Sequence, residues 1–402
     1  MKYSFEFDGV VGAKAPVRSI VPAEGEWFFG YYDLLAYSPD NRRHLVNHLP
    51  FGDHINGKDD VLGLGEIDLE TGEYREFATT KSWCFQQGAM LQYAGNGENT
   101  VFYNIYDEEA GAHRMVRHNL DTGKKDVADR ACATVASGAK YGLAVNFARI
   151  WDFRKGYGYC NFADPFADVP QPAEDGVFLC NFDNGTSKLL ADYRRMAKEF
   201  PIPGRENGKF VVNHITFNPS GTKYLFLLRN FPTPTDKTWS TSLIVGDLEG
   251  NLWPTMMDTM VSHYYWKDDD HIIAFCRPVG GVNGHYLIDA RDGSVEPAGS
   301  EIYNKNGYHL ASDTHCSYSP DGRFLVGDDY PSGDGVRRIR IDDLKTGRSG
   351  MLLSTYSPWG EDREIRTDLH ARWSRDAKRL SFDAMSRGRR EVFEVDMTQL
   401  EL

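Results

Sequence analysis

The chain has 402 residues and carries 58 acidic against 45 basic side chains, a net charge of −13, with 13% aromatic residues and 39 glycines. That charge argues against non-specific nucleic-acid binding and against an anionic membrane surface. No apolar run reaches the ~20 residues that span a bilayer, and MKYSFEFDGV lacks the apolar core of a signal peptide, so a cytoplasmic or periplasmic location is expected.

A repeat organises the chain. Its unit is an aromatic, then Ser/Asn-Pro-Asp/Ser-Gly, then an apolar strand: Pro-Asp-Gly turn chemistry reverses the chain so that two strands pair antiparallel. Clear copies are 36–47, 216–228 and 317–328, and degenerate ones are 265–275 and 372–383. A second motif follows, a strand ending in Asp-Leu-x-Thr/Gly-Gly, as in EIDLETGEY at 66–74 and IDDLKTGRS at 341–349. Asp before a turn glycine fits an Asx-type reversal and forms the outer hairpin of a four-stranded blade. The count is seven, so the expected fold is an all-β, seven-bladed β-propeller over 1–402 as one domain.

In chain order, PVRSIVP (16–22) is expected to supply the outer strand that the last blade lacks. Blade 1 begins near Asp33 and offers His48; blade 2 begins near Gln87. Blade 3 begins near Val135, carries Arg149, and is followed by long insertions at 150–176 and at 193–211, the latter with a helical patch in DYRRMAKEF. Blade 4 opens at His214 and offers Arg229; blade 5 opens at His263, followed by Tyr264, and offers Arg277. Blade 6 opens at His315 and carries Asp328 and Asp329; Arg366 and Asp368 precede blade 7, which opens at His370 and carries Asp383.

Four blades therefore share His-x-x-aromatic: His214 to Phe217, His263 to Trp266, His315 to Tyr318 and His370 to Trp373. Equivalent starts of innermost strands converge on a propeller axis, and imidazole is the commonest metal ligand and general base. A structural histidine inherited by each repeat is the plainer alternative, but blades 1 to 3 lack it. The arginines at matched positions, Arg149, Arg229 and Arg277, suit recognition of a carboxylate. Ordinary surface pairing is their alternative. The six cysteines show no zinc spacing and read as buried thiols. His44, His54, His113, His118, His271, His285 and His309 lack a shared register and read as structural or exposed.

The strand repeats resemble TolB-type propellers, and the rim histidines resemble those of oligogalacturonate lyases, seven-bladed propellers that cleave uronate oligosaccharides by β-elimination. The resemblance implies a manganese ion held by His315 and His370, with Asp368 where that family has histidine, and Ile365 where it has a glutamine ligand. It implies a base at His263, assisted by arginine, for which Arg229 and Arg277 are the candidates; His214, one blade further back, has no counterpart in that family and is the other candidate base. Arg149, His48, Gln87, Tyr264 and Arg366 are then expected to contact an acidic oligosaccharide. A carboxylate ligand suits Mn²⁺ or Ca²⁺. A glycoside hydrolase built on facing carboxylates among Asp33, Asp313, Asp328 and Asp368 is a rival, and a non-catalytic glycan- or protein-binding propeller is another.

Overall fold

The structure is a computed structural model that describes residues 9–232, 238–298, 313–360, 362–386 and 388–402; His309 lies outside them. Seven antiparallel sheets make it a seven-bladed β-propeller. Blades 1, 6 and 7 group into one compact unit and blades 2 to 5 into another.

In the first unit, blade 1 is built from Glu26–Phe28, Arg43–Leu49, Leu62–Asp68 and Tyr74–Thr80. Blade 6 uses Cys316–Tyr318, Phe324–Asp328, Val336–Asp343 and Arg348–Tyr356, with Val10–Val11 added as a fifth, edge strand. Blade 7 has Arg372–Trp373, Arg379–Ser386 and Arg389–Asp396. Its outer strand is Val17–Ser19, inside the stretch expected from sequence, with Val17 opposite Val395 and Ser19 opposite Phe393. Arg18 and Glu394 add an ion pair of 2.8 Å. The extra Val10–Val11 strand has no counterpart in the sequence pattern.

In the second unit, blade 2 runs through Gln92–Tyr93, Thr100–Asp107, Ala112–Asn119 and Lys125–Val127. Blade 3 runs through Cys132–Val135, Tyr141–Ala144, Gly176–Asn181 and Thr186–Asp192. Blade 4 is Lys209–Phe217, Lys223–Phe231, Ser240–Asp247 and Leu252–Thr259; blade 5 is Val261–Trp266, His271–Cys276, Gly284–Asp289 and Val295–Pro297. The helical patch forms Tyr193–Glu199, capped by the Asp192 side chain on the Arg195 amide. A further helix, Phe147–Phe153, opens the insertion in blade 3.

One hydrogen bond sets the register of every blade. The amide after the first strand donates to the carbonyl that starts the second: Ser38 to Arg43, Ala94 to Thr100, Ala136 to Tyr141, Asn218 to Lys223, Lys267 to His271, Ser319 to Phe324 and Ser374 to Arg379, all at 2.8–2.9 Å. Four residues upstream stand Leu34, Met90, Cys132, His214, His263, His315 and His370. The four histidines are therefore equivalent, as their spacing predicts. Blade 2 departs from expectation, because Met90 and not Gln87 holds the position. In blade 3 Cys132 holds it, so Val135 ends the first strand rather than opening it.

Aromatics three residues further on pack between blades. Trp373 stacks on Phe324 at 5.9 Å and 12°, within a cluster that includes Val326, Ile341 and Phe382. Trp266 joins Leu225, Leu227 and Val245 in the second unit, its indole N–H donating to Thr216 at 3.1 Å. A ring that buries roughly 150–250 Å² contributes about 4–6 kcal/mol as an upper estimate. The outer hairpins turn as expected: Asp68 Oδ1 accepts from the amides of Glu70 and Thr71. All six cysteines are free thiols, five of them buried. No described helix is long and apolar enough to cross a membrane.

Candidate functional site

The first unit brings His315, Asp368 and His370 together. Among the described residues they are one group of three potential metal ligands whose donor atoms lie within 4.8 Å of one another. All three are buried, and the two imidazoles meet edge-on with centroids 4.3 Å apart.

The chain fixes both rings by their Nδ1 atoms. Asp328, at the end of the second strand of blade 6, places Oδ1 at 2.9 Å from the His315 amide and 2.8 Å from its Nδ1. Its Oδ2 accepts the His370 amide at 2.9 Å. One buried carboxylate thus joins blade 6 to blade 7 and orients His315. His370 Nδ1 lies 2.9 Å from the Gly30 carbonyl oxygen. A carbonyl only accepts, so Nδ1 bears the proton and Nε2 bears the lone pair. The Gly30 peptide is itself held: Asp383 accepts the amides of Phe29 and Gly30 at 3.2–3.4 Å and pairs with buried Arg372 at 2.8 Å. Imidazoles anchored at Nδ1 by a carboxylate or a carbonyl are the usual support of a metal-binding Nε2. His370 has φ of +45°, a left-handed conformation uncommon for a non-glycine residue, which aims its amide at the neighbouring blade.

Asp368 completes the group. Arg337 Nη1 approaches it to 2.6 Å and Arg366 Nη2 to 2.8 Å, every partner being buried. Burial alone would raise its pKa, but Arg366, Arg337 and the two imidazoles outweigh that and hold it well below the usual carboxylate range. For His315 burial acts to lower the pKa; the Asp328 carboxylate, with Asp368 and Asp313, reverses this and raises it. Asp368 Oδ2 is the oxygen that Arg366 Nη2 approaches to 2.8 Å, a charge contact without hydrogen-bond geometry, while Oδ1 accepts the Arg366 Nε at 3.1 Å. The donor set of two oriented imidazoles and a carboxylate oxygen with remaining acceptor capacity fits a divalent cation.

Aromatic rings enclose the imidazoles. Tyr31 meets His370 at 4.8 Å, Tyr32 meets His315 at 5.3 Å, and Tyr330 meets His315 at 5.8 Å. Sequence reasoning missed these tyrosines and Arg337. For Arg337 a signal existed: in VRRIRID it alternates in phase with buried Ile339 and Ile341, so it points inward.

The remaining expected residues lie in the second unit or elsewhere in the first. His214 and His263 are buried with ring centroids 6.5 Å apart. His214 shares the left-handed conformation of His370, with φ of +49°. Arg229 is buried and donates to the Asn213 and Thr241 side chains at 2.8 Å. Arg277 is exposed after the second strand of blade 5. His48 sits in a strand of blade 1, half-buried and stacked on Trp27 at 4.2 Å. Gln87 is buried, with its carbonyl accepting the Met90 amide.

Two expected substrate contacts need correcting. Arg149 is fully buried on the Phe147–Phe153 helix, pairs with Asp164 at 3.1 Å and donates to the carbonyls of Phe210, Phe166, Val169 and Pro170. Its whole guanidinium holds the insertion in place and none is left for a ligand. Tyr264 is likewise buried: its ring stacks on His214 at 4.3 Å and its hydroxyl lies 2.5 Å and 3.0 Å from the carbonyls of His214 and Leu225. It is interior packing between blades 4 and 5 rather than a sugar platform.

A cleft of about 610 Å³ in the first unit is lined by Asp321, Arg323, Asp376 and Lys378. These are turn residues at the opposite end of the strands that His315 and His370 open, so this cleft is separate from the triad.

No family model and no curated protein matches the chain. Among solved structures, a manganese complex of an oligogalacturonate lyase shares 14% identity, covers 97% of this chain and 96% of its own, and superposes with a TM-score of 0.66. An oligogalacturonate lyase from Vibrio parahaemolyticus shares 12% identity with a TM-score of 0.66, covering 98% and 97%. A prolyl endopeptidase shares 10% identity with a TM-score of 0.52, covering 94% of this chain and 48% of its own. At such identities the likeness is one of fold.

Proposed function

We propose that the chain is a lyase that cleaves uronate-containing oligosaccharides by β-elimination, with a divalent cation held by His315, Asp368 and His370. The observation that carries this reading is the pair of imidazoles anchored at Nδ1 beside a buried carboxylate, in a fold that nearly coincides in extent with a manganese-bound oligogalacturonate lyase. Mn²⁺ suits the mixed donor set best, and Ca²⁺ is second because imidazole is a poor calcium ligand.

A bound cation would polarise a uronate carboxylate and so acidify the proton α to it. Elimination then needs a base to take that proton, a bond to the glycosidic oxygen to break, and a proton for the departing oxygen. His263 and His214 are the proposed bases, with Arg229, Arg277 and Arg366 assisting the substrate carboxylates. The hydrolase alternative needs a carboxyl that holds a proton near neutral pH. Asp368 is unsuited, since two guanidiniums keep it ionised, and Asp328 already accepts from the His315 amide and ring and from the His370 amide.

The test is metal analysis of the purified protein beside His315→Ala and His370→Ala, with an assay for the ultraviolet chromophore of an unsaturated uronate. The expected result is bound Mn²⁺ in the wild type, little in either variant, and chromophore formation that follows the metal. A metal-free wild type, with both variants fully active, would refute the reading. New reducing ends without the chromophore would favour hydrolysis.

A further inference from the structure

Blades 6 and 7 carry a carboxylate at one matched position of the second strand, and the two serve different partners. Asp328 stands four residues after Phe324, and Asp383 four residues after Arg379, each counted from the carbonyl that closes the first turn. Asp328 accepts the amide of the aligned residue in the next blade, His370. By the same rule Asp383 would accept the amide of Leu34. That amide turns instead to the Tyr31 carbonyl, and Asp383 takes the amides of Phe29 and Gly30. The buried residues 29–32 lie against the imidazoles: the Gly30 carbonyl on His370 Nδ1, Tyr31 on the His370 ring and Tyr32 on the His315 ring.

Buried Arg372 completes this anchor. Its Nη2 and Nη1 donate to the two Asp383 oxygens at 2.8 Å and 3.1 Å, and the same Nη1 lies 3.2 Å from the Gly30 carbonyl oxygen. The Gly30 peptides are therefore clamped on both sides of the residue: its amide on Asp383, its carbonyl between Arg372 and His370 Nδ1. Gly30 has φ of +136°, a conformation that L side chains rarely adopt. A joint between blades does not require an ion pair, since blade 2 uses the neutral Asn104 side chain in this register. An imidazole anchored at Nδ1 turns with its acceptor, so a shift of the Gly30 oxygen re-aims Nε2.

We infer that Asp383 and Arg372 are positioning residues of the cation site, acting on His370 through the Gly30 peptide while Asp328 acts directly on His315. This rests on the metal reading of the triad and holds whatever the substrate is. The two imidazoles then have unequal supports. His315 has a carboxylate on Nδ1, which strengthens the lone pair at Nε2. His370 has a neutral carbonyl that it shares with a guanidinium, a weaker acceptor, so His370 is the weaker donor and depends more on exact placement.

The experiment is a titration of the full chain with Mn²⁺, followed by the electron paramagnetic resonance of the free ion, for the wild type, Asp383→Asn and Gly30→Ala. Each variant should bind about 10–100-fold more weakly than the wild type. Gly30→Ala keeps the Asp383–Arg372 pair and alters only the peptide between that pair and His370, so it carries the test if Asp383→Asn fails to fold. The Co²⁺-loaded chain supplies a readout that general loosening would not move selectively: the exchangeable Nδ1–H protons of the ligating imidazoles, shifted by the paramagnetic ion in proton NMR. Asp328→Asn identifies the His315 proton as the one it moves most. Asp383→Asn and Gly30→Ala should displace the other, that of His370, and leave the His315 proton in place. Unaltered Mn²⁺ affinity in either folded variant, or equal displacement of both protons, would overturn the positioning role alone. A wild type that binds neither ion would refute the metal reading, and this role with it.

Discussion

The joint between blades 2 and 3 and the joint between blades 6 and 7 are made at one register by different chemistry. Asn104 and Asp328 each stand four residues after the carbonyl that closes the first turn of their blade. Each accepts the amide of the aligned residue in the next blade: Asn104 Oδ1 from Cys132 at 3.1 Å, Asp328 Oδ2 from His370 at 2.9 Å. The Asn104 amide also donates to the Cys132 carbonyl at 2.9 Å, whereas the second Asp328 oxygen serves the backbone and ring of His315. A neutral amide beside a cysteine therefore suffices to join two blades. The carboxylate and two imidazoles at the other joint exceed what the fold needs, and this excess argues for function there.

The largest effect is expected at Asp368, which has no counterpart at the neutral joint. Asp368→Ala leaves Arg337 and Arg366 buried beside an empty position and should cost about 3–5 kcal/mol, read by urea denaturation at neutral pH. A loss below about 1 kcal/mol would mean that the guanidiniums do not depend on it. The same variant should lose the bound cation.

Next come the reciprocal exchanges. Asn104→Asp turns a carboxylate oxygen toward the Cys132 carbonyl, acceptor against acceptor, and should cost about 1–3 kcal/mol or more. Asp328→Asn turns an NH₂ toward a site where every neighbour donates, and should cost a similar amount. Only the second should also weaken metal binding, by about 10–100-fold, through loss of the carboxylate that orients His315. Equal metal affinity in the wild type and Asp328→Asn would remove the distinction between the joints.

What was legible in the sequence follows the same division. The Pro-Asp-Gly turns, the closing strand and the equivalence of four histidines are local patterns with fixed periods, and the structure has them where they were read. Gln87 was misplaced because polarity drew attention, while Met90-Leu-Gln-Tyr93 carries the same aromatic spacing without a polar signal. Arg149 was misread because a guanidinium that binds five internal acceptors looks, in sequence, like one awaiting a ligand. Tyr31, Tyr32, Trp359 and Gly30 meet the imidazoles or their neighbours only through tertiary contact, and no spacing announces such contacts.

A smaller effect separates two buried histidines of the first unit. His44 is lowered to about 3 by burial and by the Arg372 charge, with its ring nitrogens on the Leu45 carbonyl and the Ser381 hydroxyl. His315 is shifted the other way by Asp328. The unfolded chain protonates His44 near its ordinary value of 6.5 while the folded chain resists until about 3. Stability from this group is thus intact above pH ~6.5 and falls as pH drops toward 3, by at most about 1.4 kcal/mol per pH unit. His44→Gln should lower stability at pH 7.5 but flatten the loss between pH 6.5 and pH 5. An unchanged slope in denaturation series at several pH values would show that His44 does not control it.

The smallest effect on stability, and the cleanest on function, is expected from His214→Asn and His370→Asn. Both positions hold a left-handed backbone, with φ of +49° and +45°, and Asn is among the few residues that tolerate it. Asn at 370 also retains a donor for the Gly30 carbonyl. Each variant should therefore stay within about 1 kcal/mol of the wild type apart from lost ring packing. Their metal contents should diverge: His370→Asn empties the site, because an amide oxygen replaces an imidazole lone pair, and His214→Asn leaves it filled while lowering turnover if His214 serves as base. Equal metal content in the two variants would make the shared register a property of the repeat alone, and the histidines in both units would then be structural.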